Sequence, residues 1–177
     1  MTPAYFITVS VEDEFLGFNR LVGIVRRRNL ALESVALGTG HAPGMARVTI
    51  ALRADEAAVD RLVRQLRKMI GVRDAVAVPE AEALDREIAL IKVRASGAHY
   101  AEVLDAAARF GASVLEEGHQ AVVLEATGTG PMLLCLIRAL EPYGVLEVAR
   151  SGTVAVGRAE PAGSNPAPAA VPVVSGR

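Results

Sequence analysis

The chain contains no tryptophan, one cysteine and three histidines, and only 4% of it is aromatic. The lone Cys135 excludes an intramolecular disulfide framework and fits a reducing cytosol. His41, His99 and His119 are far apart, and none has a second ligand at metal spacing such as an i,i+4 histidine or a C-x-x-C pair. Neither charge sign prevails: 19 basic and 20 acidic side chains leave a net charge of −1. A nucleic-acid binder ordinarily shows a basic excess or a basic, aromatic-studded face, so no nucleic-acid partner is expected. Long apolar runs are absent too. Met132–Ile137 is far shorter than the roughly 18–20 residues that cross a bilayer. The start, Met1-Thr2-Pro3-Ala4-Tyr5, lacks a basic region leading into an apolar stretch. The expectation is a cytoplasmic protein with no membrane partner.

What is present is 177 residues, 51% of them hydrophobic, enough for one ordinary domain or two small ones. With so few aromatics the core must be built from Val, Leu and Ile, which suits helix-on-sheet layers. From Ala159 onward four prolines (161, 166, 168, 172) stand among Ala, Gly and Ser, and 159–177 reads as a disordered tail.

Within the remainder an order of elements repeats. Tyr5–Val11 reads as a strand, and Phe15, Phe18, Leu21, Val22 and Val25 follow at helical spacing. Asp13 is a candidate N-cap; Arg26, Arg27 and Arg28 fall in the last turn, with Asn29 at the stop. Leu30–Leu37 and Ala46–Leu52 read as strands joined by the turn-rich 38–44. Asp55 opens a second helix burying Val59, Leu62, Val63, Leu66 and Ile70, with Gly71 as its stop, and Val72–Val78 is a fourth strand.

The pattern then restarts: strand Glu87–Ala95; a helix marked by Tyr100, Val103, Leu104, Ala107 and Phe110 and ended by Gly111; a hairpin of Ala112–Glu117 and Gln120–Ala126; a helix entered at Pro131; and strand Val145–Arg150. Val154–Val156 adds a short extra strand. The expected fold is therefore α+β: two consecutive ferredoxin-like βαββαβ units, antiparallel sheets with helices on one face. Residues 1–78 form the first unit, 79–85 an acidic linker and 86–158 the second.

Candidate chemistry is thin. Cys135, among apolar neighbours, reads as a buried small hydrophobe. Gly38-x-Gly40 is followed by a strand, so it is no phosphate loop; Thr127–Pro131 enters a helix, but capping accounts for Thr129 and Pro131. Arg26–Arg28 reads either as a solvated helix end or as a contact for a protein partner.

Separated motifs nonetheless resemble one family. Arg20-Leu21-Val22-Gly23-Ile24-Val25 with Glu33-Ser34-Val35, then Arg86–Gly97, then Val145-Leu146-Glu147-Val148-Ala149-Arg150-Ser151-Gly152 look like the small regulatory subunit of acetolactate synthase, in order, over about residues 5–158. The resemblance implies an N-terminal ACT domain, a second ferredoxin-like domain and a homodimer through paired ACT domains. It further implies a branched-chain amino acid effector, typically valine, at the interface. The chain itself would be non-catalytic and hold no cofactor; thiamine diphosphate, magnesium and FAD would belong to the large catalytic subunit it activates. The alternative is a free-standing amino-acid-sensing ACT protein with another partner. A small ferredoxin-like enzyme would need a base–nucleophile or metal set that is not visible.

At the effector positions the chain departs from the family. The usual Asn-x-x-Gly of the strand-to-helix turn is Asp13 and Leu16, the Gly ending the helix is Asn29, and an Asn reaching across the interface is Ala31. Asp13 places negative charge where an effector carboxylate should sit, Leu16 adds bulk, and Ala31 removes a polar contact. Asn29 is milder, since Asn tolerates the left-handed conformation. Weakened or altered valine feedback is expected, with activation retained.

Overall fold

The computed structural model describes residues 2–12, 14–28, 30–97 and 99–159, the side chains of 14–16 excepted. Asp13, Asn29 and all but the first residue of the 159–177 tail lie outside it.

Two βαββαβ units follow one another. The first runs β1 (Ala4–Glu12), α1 (Glu14–Arg27), β2 (Ala31–Thr39), β3 (Met45–Arg53), α2 (Glu56–Leu66) and β4 (Val72–Pro79). The second runs β5 (Ala83–Arg94), α3 (His99–Ala108), β6 (Ser113–Glu117), β7 (Ala121–Gly128), α4 (Gly130–Leu140) and β8 (Val145–Arg150), followed by β9 (Val154–Gly157). The strand orders are β2-β3-β1-β4 and β6-β7-β5-β8, all neighbours antiparallel. This is the expected fold class.

Period-two alternation sets the layers. In β1, Ile7, Val9 and Val11 are fully buried and join Leu21, Ile24 and Val25 of α1 and Val59, Leu62, Val63 and Leu66 of α2 in one core. Each such side chain contributes about 1.5–3 kcal/mol. In β5, Ala89, Ile91 and Val93 do the same beneath Val103 and Ala107 of α3 and Leu133, Leu136 and Leu140 of α4. Asp55 caps α2 by accepting from the Ala58 N–H at 2.7 Å, and Thr129 caps α4 through Met132.

Several positions differ from expectation. Ile24, not Val22, completes the buried stripe of α1; Val22 is 39% exposed. Ile70 is 85% exposed because α2 ends at Leu66, before Gly71, and in the turn that follows it is Met69 that packs against the core. Cys135 is exposed: α4 turns Leu133 and Leu136 inward, and the two residues between them, Leu134 and Cys135, face out. Residues 79–85, expected to link the units, hold the end of β4, a single 3-10 turn at Glu80–Glu82 and the start of β5.

That early start matters. Ala83–Arg86 pairs with β9, and this two-stranded ribbon lies on the helix-free face of the first sheet. Phe6, Ala51, Ala83 and Ala155 form a small core there. Thr153 N–H donates to Ser34 Oγ at 3.2 Å, and Arg47 Nη2 donates to the Ala155 carbonyl at 3.4 Å. The units are thus clasped by a strap, residues 151–157, that the second lays across the first.

Candidate functional site

The turn between β1 and α1 is where the family resemblance implies an effector carboxylate, and its backbone is tight. A Cβ added at Gly17 would lie 3.1 Å from the Glu12 carbonyl oxygen and 3.3 Å from Val11 Cβ. Close backbone approach is therefore built at Gly17, one residue beyond Leu16, and the glycine in the first turn of the helix was the signal for it. Leu16 lies in that turn; Asp13 and Asn29 fall outside the described residues.

The other candidate, Ala31, opens β2, an outer strand paired, among the described residues, only with β3. Register places it precisely enough to decide a point. Ala31 is opposite Arg53, which is opposite Ala4, whereas the turn follows Glu12, opposite Met45. Eight residues of strand, Ala4 to Glu12, separate the two levels, about 26 Å at roughly 3.3 Å per residue. One chain cannot bring Ala31 to its own turn. A second copy laid antiparallel along the free edge of β2 would bring its Ala31 to the Thr39 end, level with the turn of the first.

Exposed apolar side chains mark that edge, Leu32 at 48% and Leu37 at 46%. A bulge between Leu32 and Ser34 sets Glu33 beside Arg53, whose Nε donates to its carboxylate at 2.6 Å. Both groups are more than 40% exposed, so the pair fixes strand geometry more than it stabilises.

The arginine cluster divides. Arg26 and Arg27 stand exposed in the last turn of α1. Arg28 is engaged: its Nε and Nη2 donate to Gln65 Oε1 at 3.1 and 2.6 Å, tying α1 to α2. The three histidines remain apart. His41 lies in the β2–β3 loop and His119 in the β6–β7 turn, while His99 opens α3 beside Glu102, its Nδ1 3.3 Å from the carboxylate. Among the described residues no three His, Cys, Asp or Glu side chains gather as a metal site, and no helix is long and apolar enough to cross a membrane. Among the described residues Tyr100 has a perturbed titration: a hydrogen bond to the Glu117 carboxylate raises the phenol above its ordinary value, with desolvation adding to it.

Sequence periodicity missed the buried ion pair. Glu87 on β5 is 4% exposed and accepts from Arg150 Nη2 on β8 at 2.7 Å. With Asp85 it stands on the same face of β5 as the apolar Ala89, Ile91 and Val93, and that break in the inward row is the signal available in the sequence.

The fold and its turn-and-edge geometry define a tandem ACT-type chain. Residues 7–74 match the family model described as the AHAS small subunit-like ACT domain, and residues 86–159 match that of the small subunit of acetolactate synthase. The acetolactate synthase small subunit of Mycolicibacterium smegmatis is 36% identical over 157 residues, covering 89% of this chain and 92% of that protein. The Bacillus subtilis small subunit is 32% identical over 153 residues, covering 86% and 89%. A crystal structure of the Thermotoga maritima small subunit superposes with a TM-score of 0.80 at 23% identity, over 89% of this chain and 98% of that one. The chain belongs to the acetolactate synthase small-subunit family, whose role is regulatory and non-catalytic.

Proposed function

We propose that this chain binds and activates the catalytic large subunit of acetolactate synthase in branched-chain amino acid biosynthesis, in the cytoplasm, with thiamine diphosphate, magnesium and FAD held by that partner. Residues 1–78 act as the ACT unit and 86–158 as the second unit. Two copies pair along the free edges of β2. The register supports this reading, because only an antiparallel second copy brings an Ala31 level with the β1–α1 turn. Exposed backbone donors on an unpaired outer strand supply the physical motive.

The effector response follows from the residues at that junction. Asp13 opposes a carboxylate, Leu16 and Ala31 offer it nothing polar, and Asn29 is the mildest of the four changes. Arg26 and Arg27 are the candidate contact to the large subunit, and Arg28 serves α1–α2 packing instead.

Reconstitution tests the whole. Mixing with the large subunit raises its rate, and valine, leucine or isoleucine at micromolar concentration changes that rate little. If no complex forms and no rate rises, the subunit reading fails. Calorimetric binding of valine at micromolar concentration that is lost on Leu37→Lys, at the free edge of β2, would sink the altered-feedback part alone. Charge reversal at Arg26 and Arg27 lowers activation without unfolding the chain.

A further inference from the structure

Between the two units lies a crevice of about 500 Å³, walled by the helix-free face of the first sheet, the connecting turn and the start of α4. Its size is that of a small-molecule site. Part of its lining is apolar: Phe6 and Ala51, 6% and 3% exposed, from the first unit and Leu134 from the second. The buried Glu87–Arg150 pair also lines it. Nη2 to Glu87 is Arg150's one hydrogen bond among the described residues, so its other guanidinium N–H groups have no protein acceptor there. The first residues of α4, Gly130 and Pro131, stand beside it; a Cβ on Gly130 would be 3.5 Å from Arg150 Nη2.

The acidic side is as distinct. Glu33 and Glu87 are each matched by an arginine, but Glu80 and Asp85 line the crevice with no cation partner among the described residues. A guanidinium with unspent donors takes a carboxylate, and unmatched carboxylates against apolar walls take an ammonium.

We propose that this crevice binds a small zwitterion with an aliphatic body, an α-amino acid. Its carboxylate lies on Arg150 before the positive end of α4, and its ammonium lies on Asp85 and Glu80. The aliphatic group covers Phe6, Ala51 and Leu134. The site is complete within one chain, so it stands independently of the edge site between copies. Gly152 and Thr153 of the strap also line it, so occupancy braces the two units against each other.

Calorimetric titration of the full chain tests this, with L-valine, L-leucine and L-isoleucine as probes and butylamine and butyrate as single-charge controls. At least one amino acid binds at one site per chain. Asp85→Asn and Leu134→Trp, which leave the buried ion pair intact, each weaken it by about tenfold or more, as do the single-charge controls. Leu37→Lys, on the free edge of β2, leaves it unchanged. The proposal is overturned if no amino acid binds at its solubility limit, if Asp85→Asn and Leu134→Trp leave binding intact, or if butylamine binds as tightly as the amino acid. Loss of binding in Leu37→Lys would also overturn it, and would place the ligand at the edge between copies instead.

Discussion

Replacing Arg150 by Met strands the Glu87 carboxylate in the inter-unit crevice. The Glu87 side chain is 5% exposed and that of Arg150 32%. Removing one partner of a buried pair costs about 3–5 kcal/mol, because the remaining charge keeps its desolvation penalty and loses its compensation. Arg150 is one-third exposed and its guanidinium opens toward the crevice, so water screens part of this, and about 3 kcal/mol is the expected loss. For a chain of this size that lowers Tm by roughly 6–12 °C. The double variant Glu87→Leu/Arg150→Met removes both charges and puts apolar volume in their place; it recovers most of the loss, to within about 1 kcal/mol of the parent. The measurement is a double-mutant cycle from urea unfolding followed by far-UV circular dichroism. Tyrosine signals add resolution, since Tyr5 lies in the first unit and Tyr100 and Tyr143 in the second. If Arg150→Met costs under about 1 kcal/mol, or the two single losses simply add in the double variant, the pair is not coupled and the reasoning is refuted.

Asp55→Ala removes the acceptor for the Ala58 N–H and costs about 1 kcal/mol in thermal or urea unfolding. Leu66→Ala and Ile70→Ala, on consecutive turns, differ sharply: about 2–5 kcal/mol for the fully buried Leu66 and within about 0.5 kcal/mol for the exposed Ile70. Tyr100 has its folded pKa raised, so its contribution is fully present below the unfolded phenol value near 10 and is lost as pH rises through the folded value. Tyr100→Phe therefore flattens the alkaline limb of stability measured above pH 10, and an unchanged limb would count against the Glu117 contact.

Local signals carried most of the fold into the sequence. Alternation in β1 and β5, the Asp55 and Thr129 caps and the glycine after α3 are each decided by neighbours within a few residues, and the two βαββαβ units follow from them. Position along a helix was less legible: spacing alone admits Val22 or Ile24 into the stripe of α1, and only the direction of the sheet chooses Ile24. Ile70 looked periodic because hydrophobicity outlasts the helix by one turn. Cys135 was misplaced since every neighbour is apolar, and composition cannot say which of them faces the sheet. The candidate site was legible only in part. Asp13, Leu16 and Ala31 could be named from resemblance, but the separation of Ala31 from the end of β1 emerges from strand register. The Glu87–Arg150 pair joins residues 63 apart, beyond the reach of any local pattern.

The strap supplies a last test of how the units are joined. Gly152 has φ +76, and an added Cβ would stand 3.3 Å from the Val35 carbonyl oxygen on β2. Next to it, the Thr153 N–H donates to Ser34 Oγ. In the left-handed region alanine costs about 1–2 kcal/mol relative to glycine, and the tight approach to Val35 adds to this because backbone on both sides must give. Gly152→Ala therefore loosens the strap first: amide exchange at Thr153 and through β9 accelerates by about tenfold or more, while Ile91 and Leu124 in the second core keep their protection. Ser34→Ala, which removes the acceptor without backbone strain, accelerates Thr153 alone. Equal protection in Gly152→Ala and parent would show that the strap adapts freely. The clasp would then be a loose cover over the first sheet, and a change at the edge of β2 would have no rigid route into the second unit.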